Sequence, residues 1–259
     1  MDLKYALTGL IVGLLVGMTG MGGGSLMTPL LIIFFKFKAS VAVGSDLAYS
    51  AVMKVFGSFV HKTAGTVDMP LVWRLCMGSI PGSLIGAFSV AALERRYGSA
   101  AEHWLTRAIG VMLVLVAVSL LIRSFKFMRE LIPMPKVAME RRKSLNLAVP
   151  IGFVLGVLVG LTSVGSGAFF AVAFMLIFGL RSKAMVGTDI FQAMLLTAAA
   201  AGAHMWAGDV NYKLVGTLLI GAIPGIIIGS KLCAITPYRI LRPTLATVLL
   251  LSGLKILTG

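Results

Sequence analysis

The chain is one unit written twice. Residues 9–86 align with 152–229 at a constant shift of 143 positions, without a gap. Gly9, Gly13, Gly17, Thr19, Gly22 and Gly24 fall on Gly152, Gly156, Gly160, Thr162, Gly165 and Gly167. Val43-Gly44-Ser45-Asp46 falls on Val186-Gly187-Thr188-Asp189, and His61 on His204. Gly78, Pro81, Gly82 and Gly86 fall on Gly221, Pro224, Gly225 and Gly229. A duplication of this length constrains the fold more than any local propensity, because each copy is one structural unit that completes itself against its neighbour.

The solvent of this fold is lipid. Of the 259 residues 58% are hydrophobic and only 12% charged. Soluble domains carry about 25% charge. The expected class is therefore an all-α integral membrane protein, and a duplicated apolar chain points to a transporter with its site between pseudo-symmetric halves. Met1–Tyr5 runs directly into an apolar segment with no small-residue cleavage site, so that segment is expected to stay as a membrane helix. The net charge of +14 sits mainly in short links and one longer one, where membrane orientation calls for it. No nucleic acid partner is expected. Part of the excess can attract an anion. Cys76 and Cys233 lie in apolar stretches and are not repeat counterparts, so neither disulfide nor metal is implied. No metal-ligand spacing, cofactor motif or dinucleotide fingerprint occurs.

The apolar segments predict a first membrane repeat over residues 1–122, a basic cytoplasmic linker over 123–146 and a second repeat over 147–259. Two segments, 5–36 and 147–179, are too long for one crossing. Thirty-two helical residues measure about 48 Å, against a hydrocarbon core of about 30 Å. Each is interrupted by glycines, at Gly20–Gly24 and at Ser163–Gly167. We expect each to fold into a V of two short arms, followed by three transmembrane helices. Non-helical backbone at such depth survives only inside protein or beside a water-filled cavity. A V makes the crossing number odd and the halves inverted, whereas a straight broken span would give four crossings and parallel halves. Inversion also gathers Arg181, Lys183, Lys231, Arg239 and Arg242 on the side of the basic linker.

The glycine turns carry the clearest chemistry. Gly22, Gly23, Gly24 and Ser25 in one copy, and Gly165, Ser166 and Gly167 in the other, precede short helices. A helix N-terminus offers unpaired N–H groups and about half a positive charge. Two such ends near the midplane would cage a small oxyanion. The plainer alternative is that these glycines only allow close helix packing, which accounts well for Gly9, Gly13 and Gly17. Ser45-Asp46 and Thr188-Asp189 are expected to open the next helices, either as caps or as further polar ends beside the turns. Asp46 and Asp189 are candidate proton carriers, because membrane carboxylates are costly unless paired or useful. Lys54, two turns after Asp46, has Thr197 as its counterpart, and Gln192 has Tyr49. These two asymmetric residues are expected to tune substrate choice, although Lys54 also reads as a structural partner of Asp46 or a snorkelling side chain. His61 and His204 read as helix-end histidines, with a proton-coupling role open. Pro81 and Pro224 predict kinks within helices.

The Gly-rich break followed by Thr28-Pro29-Leu30, the paired Val-Gly-Ser/Thr at 43–45 and 186–188, and Pro-Gly-x3-Gly at 81–86 and 224–229 resemble the TauE/SafE sulfite exporter family, also called the 4-toluene sulfonate uptake permease family. The resemblance covers nearly the whole chain. It implies duplicated membrane halves and a substrate among sulfur-containing anions: sulfite, thiosulfate or an organosulfonate. Where that family often has Ser after Gly-Thr, both copies here carry Asp, at 46 and 189. Carboxylates near an anion repel it unless protonated or paired, which favours proton coupling. The expectation is a multi-pass protein of a bacterial-type cytoplasmic (inner) membrane, with lipid and a small sulfur oxyanion or sulfonate as partners. Exposed Gly/Ala faces permit a homodimer. The rivals are a passive anion channel and an intramembrane enzyme using Ser25 or Ser166 with a histidine. Duplication argues against the enzyme, since hydrolases seldom need one polar set twice.

Overall fold

The computed structural model describes residues 3–19, 24–124, 141–180, 182–233 and 238–258. Among them there are only helices and connecting turns. In chain order these are α1 (Leu3–Thr19), α2 (Gly24–Ile33), α3 (Ala39–Thr63), α4 (Met69–Tyr97) and α5 (Ser99–Ser124). The second series is α6 (Arg141–Thr162), α7 (Ala168–Leu176), α8 (Ser182–Ala207), α9 (Tyr212–Cys233) and α10 (Tyr238–Thr258). Five described helices are long and apolar enough to cross a membrane: Met69–Tyr97, Ser99–Leu121, Leu145–Thr162, Ala184–Ala207 and Tyr212–Gly229. The protein is a multi-pass membrane protein.

The second long apolar segment is interrupted where its glycines stand, with α6 ending at Thr162 and α7 starting at Ala168, while in the first α1 is described to Thr19 and α2 from Gly24. The local breakers repeat as well. Gly65 (φ +65°) and Gly208 (φ +86°) end α3 and α8 in the left-handed region, a conformation that costs glycine nothing. Asp68 and Asn211, again counterparts, accept from the N–H groups of Leu71 and Leu214 at 3.3 and 3.0 Å. They satisfy the free first turns of α4 and α9.

The main packing pairs all cross between the repeats: α1 on α9, α4 on α6, α5 on α10 and α3 on α8. The first two pairs are the same pair under the 143-residue shift. Their contact is backbone against backbone. A Cβ at Gly9 would lie 2.1 Å from the Leu218 carbonyl oxygen, and one at Gly152 2.5 Å from that of Leu75, its counterpart. Likewise Gly221 faces the Ala6 carbonyl at 1.8 Å, and Gly78 faces that of Val149 at 1.9 Å. In lipid the hydrophobic effect does not join helices, so close van der Waals contact along small-residue stripes must do so. Each repeat therefore supplies one helix to each glycine-packed pair, and neither repeat buries its own stripe.

Candidate functional site

The second glycine turn, Ser163–Gly167, is described in full. Ser163 (φ +59°) and Gly165 (φ +97°), between α6 and α7, both adopt the left-handed region. Gly167 is the N-cap of α7 and, lacking a side chain, makes no cap bond to its first-turn N–H groups. Gly165, Ser166, Gly167 and Ala168 line a small cavity together with Ser25 of α2 and Val116 and Leu120 of α5. The starts of α2 and α7, one from each repeat, thus meet at one space. The calls on Gly22 and Gly23 lie outside the described residues; Gly24 is the first residue of α2.

Beside this cavity stands a buried polar group on α3. Asp46 is fully buried. Its Oδ2 accepts from Thr28 Oγ1 at 2.5 Å and from Ser163 Oγ at 2.9 Å, and its Oδ1 from Ser50 Oγ at 3.3 Å. One carboxylate therefore joins α2, α3 and the second turn. Lys54, two turns on, is also buried, and its Nζ donates to Ser166 Oγ at 3.0 Å. It interacts electrostatically with both Asp46 and Asp189. A lysine that is buried and bonded to Ser166 does not reach an interface, which excludes the snorkelling reading of Lys54. Gln192 is fully buried, with Nε2 donating to Ser79 Oγ of α4 at 2.9 Å. Its Oε1 and the hydroxyl of its counterpart Tyr49 have no protein hydrogen-bond partner among the described residues. Buried polar atoms normally have one, so these two retain capacity for a polar visitor.

Ser45 and Thr188 behave differently from expectation. Neither opens a helix, since α3 starts at Ala39 and α8 at Ser182. The first turn of α3 is held by Glu102 of α5, whose carboxylate accepts from the Ala39 N–H. The hydroxyls point instead to the opposite repeat. Ser45 Oγ accepts from the Asn211 N–H at 3.0 Å, and Thr188 Oγ1 from the Asp68 N–H at 2.9 Å. The preceding glycines permit this approach: a Cβ at Gly44 would lie 2.5 Å from the Asp209 carbonyl oxygen, and one at Gly187 2.8 Å from that of Thr66. The Val-Gly-Ser/Thr motif is thus a dock for the loop before the other repeat's helix. Ser45→Ala and Thr188→Ala should each remove the acceptor of a half-buried N–H and lower stability by about 0.5–1.5 kcal/mol, measurable as a drop in the unfolding temperature of the detergent-solubilised protein.

His61 and His204 lie in the last turns of α3 and α8. His61 Nδ1 is 3.0 Å from Thr66 Oγ1. His204 is buried, 3.3 Å from Asp209 Oδ2 through Nδ1 and 3.0 Å from the Gly160 carbonyl oxygen through Nε2. These histidines staple each helix end to the following loop and stand apart from the cavity lining. Cys76 is a buried free thiol. The geometry also adds residues that sequence spacing did not single out as partners of Asp46. Ser50 had a legible signal, since residues four apart share a helix face. Thr28 and Ser163 had none, because their approach to Asp46 depends on tertiary packing.

Known proteins repeat this arrangement of sequence. The family model described as sulfite exporter TauE/SafE matches residues 5–256. The chain is 40% identical over 257 residues to the probable membrane transporter protein YjnA of Bacillus subtilis (strain 168), covering 99% of this chain and 100% of that one. It is 26% identical over 247 residues to YdhB of the same organism, also named a probable membrane transporter protein, across 95% and 96% of the two chains. No solved structure matches significantly. With the family model spanning both glycine-broken repeats and a full-length relative at 40% identity, the chain belongs to the TauE/SafE sulfite exporter family.

Proposed function

We propose that the protein is a secondary transporter of a small sulfur-containing anion, sulfite, thiosulfate or an organosulfonate, working by alternating access with proton coupling in the cytoplasmic membrane. The observation that carries this reading is the meeting of both repeats at one cavity, where Ser25 faces Gly165–Gly167 and Lys54 bonds to Ser166. A glycine-capped helix start supplies N–H donors and partial positive charge, and a buried lysine supplies the full charge. Both suit a small oxyanion. The family name and the names of the relatives point the same way.

The remaining parts of the reading follow from length and charge. Helices α2 and α7 have 10 and 9 residues, about 15 and 14 Å, half the hydrocarbon thickness. Such short arms fit the V at each glycine break, and with it inverted halves. Proton coupling follows from charge balance. An entering anion meets one buried cation and two buried carboxylates, Asp46 and Asp189. A proton arriving with it offsets the added negative charge. The cross-repeat glycine pairs, α1 with α9 and α4 with α6, are the natural rigid bodies of the transport cycle.

The test is the unfolding temperature of purified protein against sulfite, thiosulfate, sulfate, sulfoacetate, taurine, lactate and chloride. A ligand at 100 times its Kd stabilises the native state by about 2.7 kcal/mol. A rise confined to sulfur oxyanions or sulfonates is the expected result. A rise with lactate alone would replace the substrate class, and no rise with any anion would remove the anion reading.

A further inference from the structure

Both ring nitrogens of His204 face acceptors. The histidine is fully buried in the last turn of α8. Nε2 lies 3.0 Å from the Gly160 carbonyl oxygen, which can only accept, so Nε2 carries a proton. Nδ1 lies 3.3 Å from Asp209 Oδ2. An ionised carboxylate also only accepts, so Nδ1 carries a second proton. A neutral imidazole has a single N–H. The pair therefore fits together with one proton more than a neutral ring and a carboxylate hold, and the imidazole is the stronger base of the two. The counterpart joint needs no such proton. Asp209 matches Thr66, whose hydroxyl donates to the His61 carbonyl at 3.0 Å. The same oxygen can accept from His61 Nδ1, 3.0 Å away, with the ring neutral.

The extra proton sits where it bears on the second turn. Gly160 stands two residues before the end of α6, and its carbonyl is one of the last four, which a helix leaves without partners. The N–H that a continuing helix would offer it, that of Val164, lies instead on Thr162 Oγ1 at 3.3 Å. His204 supplies the missing donor three residues ahead of Ser163. Asp209, at the other end, belongs to the loop docked on α3, where the Asn211 N–H donates to Ser45 Oγ. Ser45 adjoins Asp46, and Asp46 accepts from Ser163. The contacts close a ring from the turn through His204, Asp209, the docked loop and α3 back to the turn. Without the proton there is one N–H for two acceptors, and the ring opens at one of them.

The helices packed against α8 are α3, α4, α6 and α7. α7 has no charged residue, and α6 has its own at Arg141, Arg142 and Lys143, in its first turn. α3 meets His204 through Gly44, with Asp46 two residues on and Lys54 and Lys62 further along. α4 brings Arg95, flanked by Glu94 and Arg96, over the Trp206 ring at 5.9 Å. The Asp209 side chain is 11% exposed and that of His204 not at all, so Asp209 is the route by which the proton reaches solvent.

We propose that the His204–Asp209 pair is the proton-binding site of the transport cycle: with its proton it ties the docked loop to the end of α6 and holds the second turn on the cavity, and without it the turn is released. The coupling half rests on the transport reading above; the protonation of the pair stands without any substrate. Ser166 and Gly167 of that turn line the cavity. Anion and proton therefore favour the same arrangement, which is the positive linkage that co-transport requires.

The experiment uses full-length protein in detergent, its histidines labelled with nitrogen-15. The chain has three of them, His61, His103 and His204, so one substitution assigns the ring by NMR. At about pH 7.5, above the ordinary imidazole value of about 6.5, one ring should carry protons on both nitrogens, and His204→Gln should remove that signal. Linkage is read by thermal shift as affinity for thiosulfate and sulfoacetate, whose charges do not change near neutrality. Parental affinity should fall about tenfold per pH unit once the pair loses its proton, because one proton is then taken up with each anion. Asp209→Asn is the decisive variant. Its amide N–H can donate to Nδ1 of a neutral ring, so both joints survive without the extra proton. It should fold as the parent does, show a neutral His204, and change affinity less than about twofold per pH unit. A parental His204 with one protonated nitrogen, or the parental slope retained in Asp209→Asn, would overturn the proposal. A purely structural histidine would lower the melting temperature in His204→Gln and leave the slope as it was. Should His204→Gln fail to fold, Asp209→Asn decides alone. Should neither anion shift the parent, the anion reading falls and the coupling with it, while the NMR signal still decides whether the pair holds the proton.

Discussion

Gly221→Leu should yield no folded protein, and Gly78→Leu should fail in the same way. At Gly221 an added Cβ would sit 1.8 Å from the Ala6 carbonyl oxygen, and at Gly78 1.9 Å from that of Val149. Real Cβ atoms do not approach so closely, and the obstacle is backbone inside a packed helix. It cannot rotate aside as a side chain would. The whole of α1, or of α6, must retreat. Retreat at one glycine opens the stripe at the others, since a Cβ at Gly225 or Gly229 would lie 2.4 or 2.2 Å from the Leu10 or Leu14 carbonyl oxygen of the same helix. The loss should exceed the ~1–3 kcal/mol usual for overpacking, and comes close to the whole stability of a marginal fold. Gly202→Leu and Gly216→Leu are the controls. A Cβ there meets nothing within 4 Å among the described residues, and leucine is the better helix former by somewhat under ~1 kcal/mol. Size-exclusion profiles of detergent extracts distinguish these outcomes. Monodisperse Gly221→Leu at parental yield would mean that α1 and α9 are not packed through their backbones.

Lys54→Met should abolish measurable anion transport, and its stability defect should be partly repairable without restoring that transport. Two effects are superposed. The buried ammonium donates to Ser166 and interacts electrostatically with Asp46 and Asp189. Its removal leaves two buried carboxylates uncompensated, which costs about 3–5 kcal/mol by the behaviour of broken buried pairs. It also removes the charged donor from the proposed anion site, where a charge-assisted hydrogen bond contributes about 1.5–3 kcal/mol, or roughly 10- to 150-fold in affinity. The double variant Lys54→Met/Asp46→Asn separates the two. It removes one negative charge for the lost positive one, so its unfolding temperature should recover toward the parent. Transport and anion-induced stabilisation should stay absent. Recovery of both would reduce Lys54 to a counter-ion of Asp46.

The helical layout was legible because lipid makes the rules few. Apolar length marks the spans, and glycine marks the breaks. The interruption between α6 and α7 falls where the second glycine run stands. The candidate site was legible in part. Asp46, Lys54, Ser166 and Gly167 are drawn together as their polarity in an apolar chain suggests. The helix starts were misread at 45 and 188. The residue before α3, Lys38, is not of a capping type. The cap for α3 comes from Glu102, on another helix, and a hydroxyl that resembles an N-cap in sequence serves the opposite repeat's loop.

The sequence alone determined that the chain is duplicated, helical and membrane-embedded, and which faces of its helices are small enough to touch. Only the tertiary structure decided which faces meet. A glycine stripe such as Gly78-Gly82-Gly86 fits any other small stripe in lipid, since no hydrophobic gain distinguishes one partner from another. Shape complementarity along whole helices chose the partner, and it chose across the repeats. That choice carries the second turn to α3 and places Ser163 on Asp46.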